Sequence, residues 1–113
     1  KALEDGNSKI VVILTRDVNY RKEPNKLLPM MKFVYRKYPK LVHAVAKRHV
    51  NYNKTLRQLR KMEKAGNVFV IRPSEEITVG RLETDSEKLK ALYEQGYRDA
   101  KNSYEAMKKY LNL

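Results

Sequence analysis

The fold turns on two short apolar runs, KIVVILT at residues 9–15 and NVFVIR at residues 67–72. The first places five apolar residues in succession, Ile10 to Leu14, β-branched up to Leu14. A run so short and so apolar suits a strand covered on both faces rather than a helix. The second is closed by Pro73, which has no N–H to donate to a ladder.

Helical patterns fill the space between and after these runs. Residues 16–25, RDVNYRKEPN, form a loop in which Asn25 is placed to cap the next helix. That helix, over about 26–38, carries Leu27, Leu28, Met31, Val34, Tyr35 and Tyr38, with Pro29 tolerated in its first turn. Pro39 breaks that pattern and opens a second helix over about 40–65. Leu41 or Val42, Val45, His49, Tyr52, Leu56, Leu59 and Met62 mark its apolar stripe, and Gly66 stops it. Beyond the second run, Thr84 and Glu87 have capping-box spacing, which starts a third helix over about 85–112. Its apolar face is predicted along Leu89, Leu92, Tyr93, Gly96, Tyr97, Ala100, Tyr104, Met107 and Leu111. Gly96 costs a helix roughly 1 kcal/mol relative to Ala, so another element is expected to approach closely there. Ahead of the first run, KALEDGN at 1–7 has the form of a helix tail ending at Gly6.

The resulting order is strand, two helices, strand, helix. Strands joined through helices lie parallel with a right-handed crossover, which gives an α/β class. Two strands alone are marginal in water. The pair is therefore expected to belong to a larger sheet, or to complete itself by oligomerisation.

The 113 residues suit one ordinary domain. No apolar run approaches the ~20 residues of a membrane-spanning helix. The absence of cysteine removes disulfides, thiolate nucleophiles and cysteine metal sites, and fits a reducing, cytoplasmic setting. The net charge of +12 is uneven, with no carboxylate from Pro24 to Met62. Such a field attracts anions: phosphate, nucleic acid or an anionic lipid surface.

Catalytic signatures are missing. Ser8, Ser74, Ser86 and Ser103 lie outside any G-x-S-x-G turn. His43 and His49 point about 240° apart on a helix and share no metal face. Glu75-Glu76 and Glu83-Asp85 suit a helix start better than acid–base work. Gly80-Arg81 offers an anion contact but not a phosphate-cradling loop. MMKFVYRKYPKL at 30–41 mixes cations with Tyr and Met, which first suits core Tyr and Met beneath a solvated basic face, and also suits a nucleic-acid or lipid interface. Arg36, Lys37, Lys40, Lys47, Arg48 and Arg81 are the candidate anion or headgroup contacts.

Several stretches, in order along the chain, resemble the C-terminal part of bacterial patatin-like phospholipases. They are KIVVILTR at 9–16, YRKEPNKLLP at 20–29, YRKYP at 35–39, RHVNYNKTL at 48–56, FVIRPS at 69–74 and VGRLETDSEKLKALYEQGYRDA at 79–100. The resemblance implies a lipid acyl hydrolase that uses a Ser–Asp dyad on a three-layer α/β sheet, without metal or organic cofactor. It also implies that residues 1–19 end that catalytic sheet and that 20–113 form an appended region. The family's G-x-S-x-G is absent. Asp5-Gly6-Asn7 departs from its D-G-[AG] at Asn7, so no catalytic residue carries over. The implied partner is the rest of the catalytic domain, with an anionic phospholipid surface or a second copy of the chain as further expectations. The alternatives are a standalone basic module for nucleic acid or another anion, and a purely structural helical cap.

Overall fold

The computed structural model describes all residues, 1–113. The order is β1 (Val11–Ile13), α1 (Leu28–Val34), α2 (Pro39–Lys64), β2 (Phe69–Ile71) and α3 (Ser86–Leu111), an α/β arrangement. β1 and β2 pair in parallel, with Val11 opposite Phe69 and Ile13 opposite Ile71. Both are shorter than the apolar runs that contain them. The ladder is extended by single bonds, Phe69 N–H to Ile10 O at 2.9 Å and Leu14 N–H to Ile71 O at 2.8 Å. The sheet has no third strand to hold its outer residues in register.

The chain divides into two compact units, Lys1–Tyr20 with Met62–Leu113, and Arg21–Lys61. The break after Tyr20 falls one residue from the expected boundary, while β2 and α3 belong with β1.

In the first unit, Lys1 to Gly6 make a single helical turn that Gly6 ends at φ +90°. The end of α2 is stopped by Gly66 at φ +77°, with Asn67 N–H reaching back to Met62 O. That left-handed residue and six-to-one bond are how helices commonly terminate before a strand. β2 follows directly, and Val68 at its threshold is 4% exposed, the deepest apolar residue in the chain. α3 is capped by Asp85, whose carboxylate accepts from Glu87 and Lys88 N–H, and not by Thr84. Asp85 is one residue nearer the helix and its charge suits the N-terminal dipole.

α3 departs from expectation in two ways. The side that packs within the chain carries Leu92, Gln95, Asp99, Ser103, Met107 and Tyr110. It is turned roughly a quarter of a turn from the predicted face. Leu89, Tyr93, Tyr97 and Tyr104 remain exposed. Gly96 has open space around it: a Cβ there would meet nothing within 4 Å. The close approach predicted for it does not come from this chain.

In the second unit, α1 is half the predicted length, ending where Arg36, Lys37 and the pre-proline Tyr38 disfavour continuation. Asn25 is not its cap. The Asn25 side chain instead accepts from Leu27 N–H at 2.9 Å, forming a turn just ahead of the helix. Along α2, Val42, Val45, His49, Leu56 and Leu59 form the half-buried stripe, with Asn53 replacing the exposed Tyr52. The amide of Asn53 closes both bonds with the backbone of Lys22, at 2.8 and 3.0 Å.

The core is thin for the size of the chain. A 13.3 kDa monomer exposes roughly 6,500 Å². Treated as two separate bodies, the units would together expose about 7,700 Å². The chain exposes 9514 Å².

Candidate functional site

Open α/β sheets hold ligands beyond the C-terminal ends of their strands. At that place the first unit has a cleft of about 310 Å³, walled by Ile13, Leu14, Ile71, Pro73, Ile77 and Leu92. Thr15, Arg72, Gln95 and Asp99 supply its polar groups. Three of these have structural partners. Arg72 Nη2 donates to Glu63 Oε2 at 2.8 Å, Gln95 Nε2 donates to Glu75 O at 3.3 Å, and Asp99 Oδ2 accepts from Ser74 N–H at 2.9 Å. Arg16 Nη1 adds a bond to Ile77 O at 3.4 Å. Loop 73–77 is thus fastened from both sides, and the fastening shapes the cleft. Arg72 Nε is buried with no partner.

Partial desolvation pushes the Asp99 carboxyl up, but hydrogen bonds from the Ser74 hydroxyl and N–H, with Arg98 and Gln95 beside it, hold it below the usual carboxylate range. The Ser74–Asp99 contact ties the loop to α3 through the Ser74 N–H. The walls of the cleft are mainly apolar. No three His, Asp or Glu side chains are grouped to hold a metal ion.

The candidate anion contacts separate. Arg81 lies in the first unit, exposed in a turn where Glu83 N–H reaches Gly80 O. Arg36, Lys37, Lys40, Lys47 and Arg48 belong to the second unit and are all exposed. Arg36 and Lys37 sit in the turn after α1, and Lys40 in the first turn of α2. Lys40 and Lys47 share one face of α2, and the seven-residue step continues through Lys54 and Lys61. A seven-residue repeat drifts only about 20° per step, so the four make one ridge opposite the Val42–Leu59 stripe. The second unit holds 13 Lys/Arg against a single acid, Glu23, a net +12. The first unit holds 12 of each and is neutral. The whole net charge of the chain therefore resides in Arg21–Lys61. No helix is long and apolar enough to cross a membrane.

Two residues central to the packing escape the sequence patterns. Tyr110 accepts from Ile10 N–H at 3.3 Å, donates to Asn67 O at 3.0 Å, and stacks on Phe69 at 5.8 Å between centroids. It pins the end of α3 to the start of both strands. Its i+3 spacing from Met107 is the available signal, but the aromatic stripe through Tyr97 and Tyr104 competes with it. Asn53 stays hidden because periodicity counts only apolar residues.

Residues 38–112 match the family described as Domain of unknown function (DUF6363). No curated protein matches the chain, and no solved structure does.

Proposed function

The chain belongs to the DUF6363 family, and from its geometry and its motifs we propose that it is the C-terminal segment of a patatin-like lipid acyl hydrolase. In that role it supplies strands and helices to a larger sheet and leaves the nucleophile to the rest of the protein. The observation that carries the reading is the open β1–β2 pair. Parallel sheets in α/β proteins are covered on both faces, yet Ile13 is 73% exposed. In a parallel ladder successive residues direct their backbone groups to alternate sides. Ile10 O and Leu14 N–H face β2, so Val11 and Ile13 present their N–H and C=O along the other edge. A further strand along β1 would satisfy them, and its covering layer would bury Ile13. The motif resemblance supports lipid acyl esters as the substrate class.

The test is labelling of the full-length gene product with a fluorophosphonate serine probe, alongside hydrolysis of a fluorescent phospholipid. Labelling and hydrolysis are expected from the full-length protein and from neither Ser74 nor any other serine of residues 1–113 alone. A full-length protein that neither labels nor hydrolyses, and that carries no G-x-S-x-G ahead of residue 1, would overturn the reading.

A further inference from the structure

The second unit combines its charge with an apolar ridge. Leu27, Met30, Phe33 and Val34 recur at steps of three and four through α1 and are all exposed, Phe33 at 75%. Tyr38 and Leu41 continue exposed apolar surface across the turn into α2. Cations flank this ridge at Lys26, Lys32, Arg36, Lys37 and Lys40. Exposed large apolar side chains beside unopposed cations are costly in water and suit a surface that offers both hydrocarbon and anions.

We infer that Arg21–Lys61 docks on an anionic lipid bilayer, with Met30 and Phe33 seated at the headgroup–acyl boundary and Lys32, Arg36, Lys37 and Lys40 on lipid phosphates. The ridge decides between polyanions. Nucleic-acid interfaces are polar, and single strands are held on aromatic platforms. Leu27, Met30 and Val34 are aliphatic and give bases nothing to stack on, and among the exposed Phe33, Tyr35 and Tyr38 they make a hydrocarbon surface rather than an aromatic platform. An interfacial segment of this kind needs no spanning helix, and none is present. The inference goes beyond the hydrolase reading and does not depend on it, since binding is scored without catalysis.

The experiment uses the whole 113-residue chain with phosphatidylcholine vesicles, with or without a quarter phosphatidylglycerol, at low and high salt. The chain contains no Trp, so Phe33→Trp creates a unique reporter. Binding to the anionic vesicles alone is expected, weakened by salt, with a blue shift of Trp emission and quenching by brominated acyl chains. Phe33→Ser should weaken binding by roughly ten- to a hundredfold, as expected for losing one inserted Phe. Phe33 is exposed, so the thermal midpoint should stay unchanged. Leu82→Ser, at an 89% exposed site in the other unit, should leave binding intact. Equal binding to neutral vesicles, no binding to either, or an unshifted reporter would overturn the inference. Tighter binding to single-stranded RNA than to anionic vesicles would assign the surface to nucleic acid instead.

Discussion

Replacing Gly96 by Ala should stabilise this chain. Gly96 is the eleventh of 26 residues in α3, far from either end. In a helix interior Gly is disfavoured relative to Ala by about 0.8–1.0 kcal/mol, because the unfolded chain has more freedom to lose. Packing usually opposes that gain where a Gly admits a neighbour. Here nothing opposes it, since the added methyl would meet nothing within 4 Å. The expected change is therefore the full propensity difference, about 1 kcal/mol, or a midpoint raised by about 4–8 °C for a domain of this size. Urea and thermal melts followed by circular dichroism at 222 nm measure it directly. A neutral or destabilising result in the isolated chain would show that some element does approach Gly96, and would refute the packing described for α3. The longer hydrolase proposed above provides the complementary measurement. If the face bearing Gly96, Tyr93 and Tyr97 is covered there, the same substitution should weaken the assembled protein while strengthening the chain alone.

Tyr110→Phe removes a hydroxyl that serves backbone groups of both strand starts. It should cost about 1–2 kcal/mol in a urea melt, and an unchanged midpoint would deny Tyr110 its pinning role. Gly66→Ala places a side chain at φ +77°. It should lower stability by roughly 1 kcal/mol in the same melt, the opposite sign to Gly96→Ala, despite equally open surroundings. Asp99 has a lowered folded pKa. Its contribution is present above the ordinary carboxylate value near ~3.9 and is lost as pH falls through the lower folded value. The protection factor of the Ser74 amide, with the intrinsic pH dependence of exchange divided out, should fall only in that acid range, and Asp99→Asn should abolish the fall; protection that is constant through that range would refute it.

The order of elements and the parallel pairing are legible because β-branched runs, prolines and glycine stops are local signals. Gly66 and Pro73 bound α2 and β2 close to where the structure places them. The face that each helix turns inward is not legible in the same way. The apolar count along α3 favours Leu89, Tyr93, Tyr97 and Tyr104, but inside the chain the opposing demand is polar. The backbone of loop 73–77 needs partners, and Gln95 and Asp99 supply them. The Tyr stripe is left exposed. The candidate cations are exposed, as their charge requires, yet Arg81 cannot be separated from the others without knowing that β2 and α3 fold back onto β1. The same knowledge turns a general basic excess into one unit of +12 beside a neutral one.

The register that opposes Val11 to Phe69 also has a consequence in time. At ribosomal rates of about 5–20 residues per second, β1 emerges roughly 3–12 seconds before its partner strand. Throughout that interval KIVVILT is an exposed, aggregation-prone edge. The segment synthesised meanwhile is Arg21–Lys61, and its like charges repel those of neighbouring nascent chains. The cations of that segment would thereby keep nascent chains apart until β2 arrives to pair with one edge of the strand.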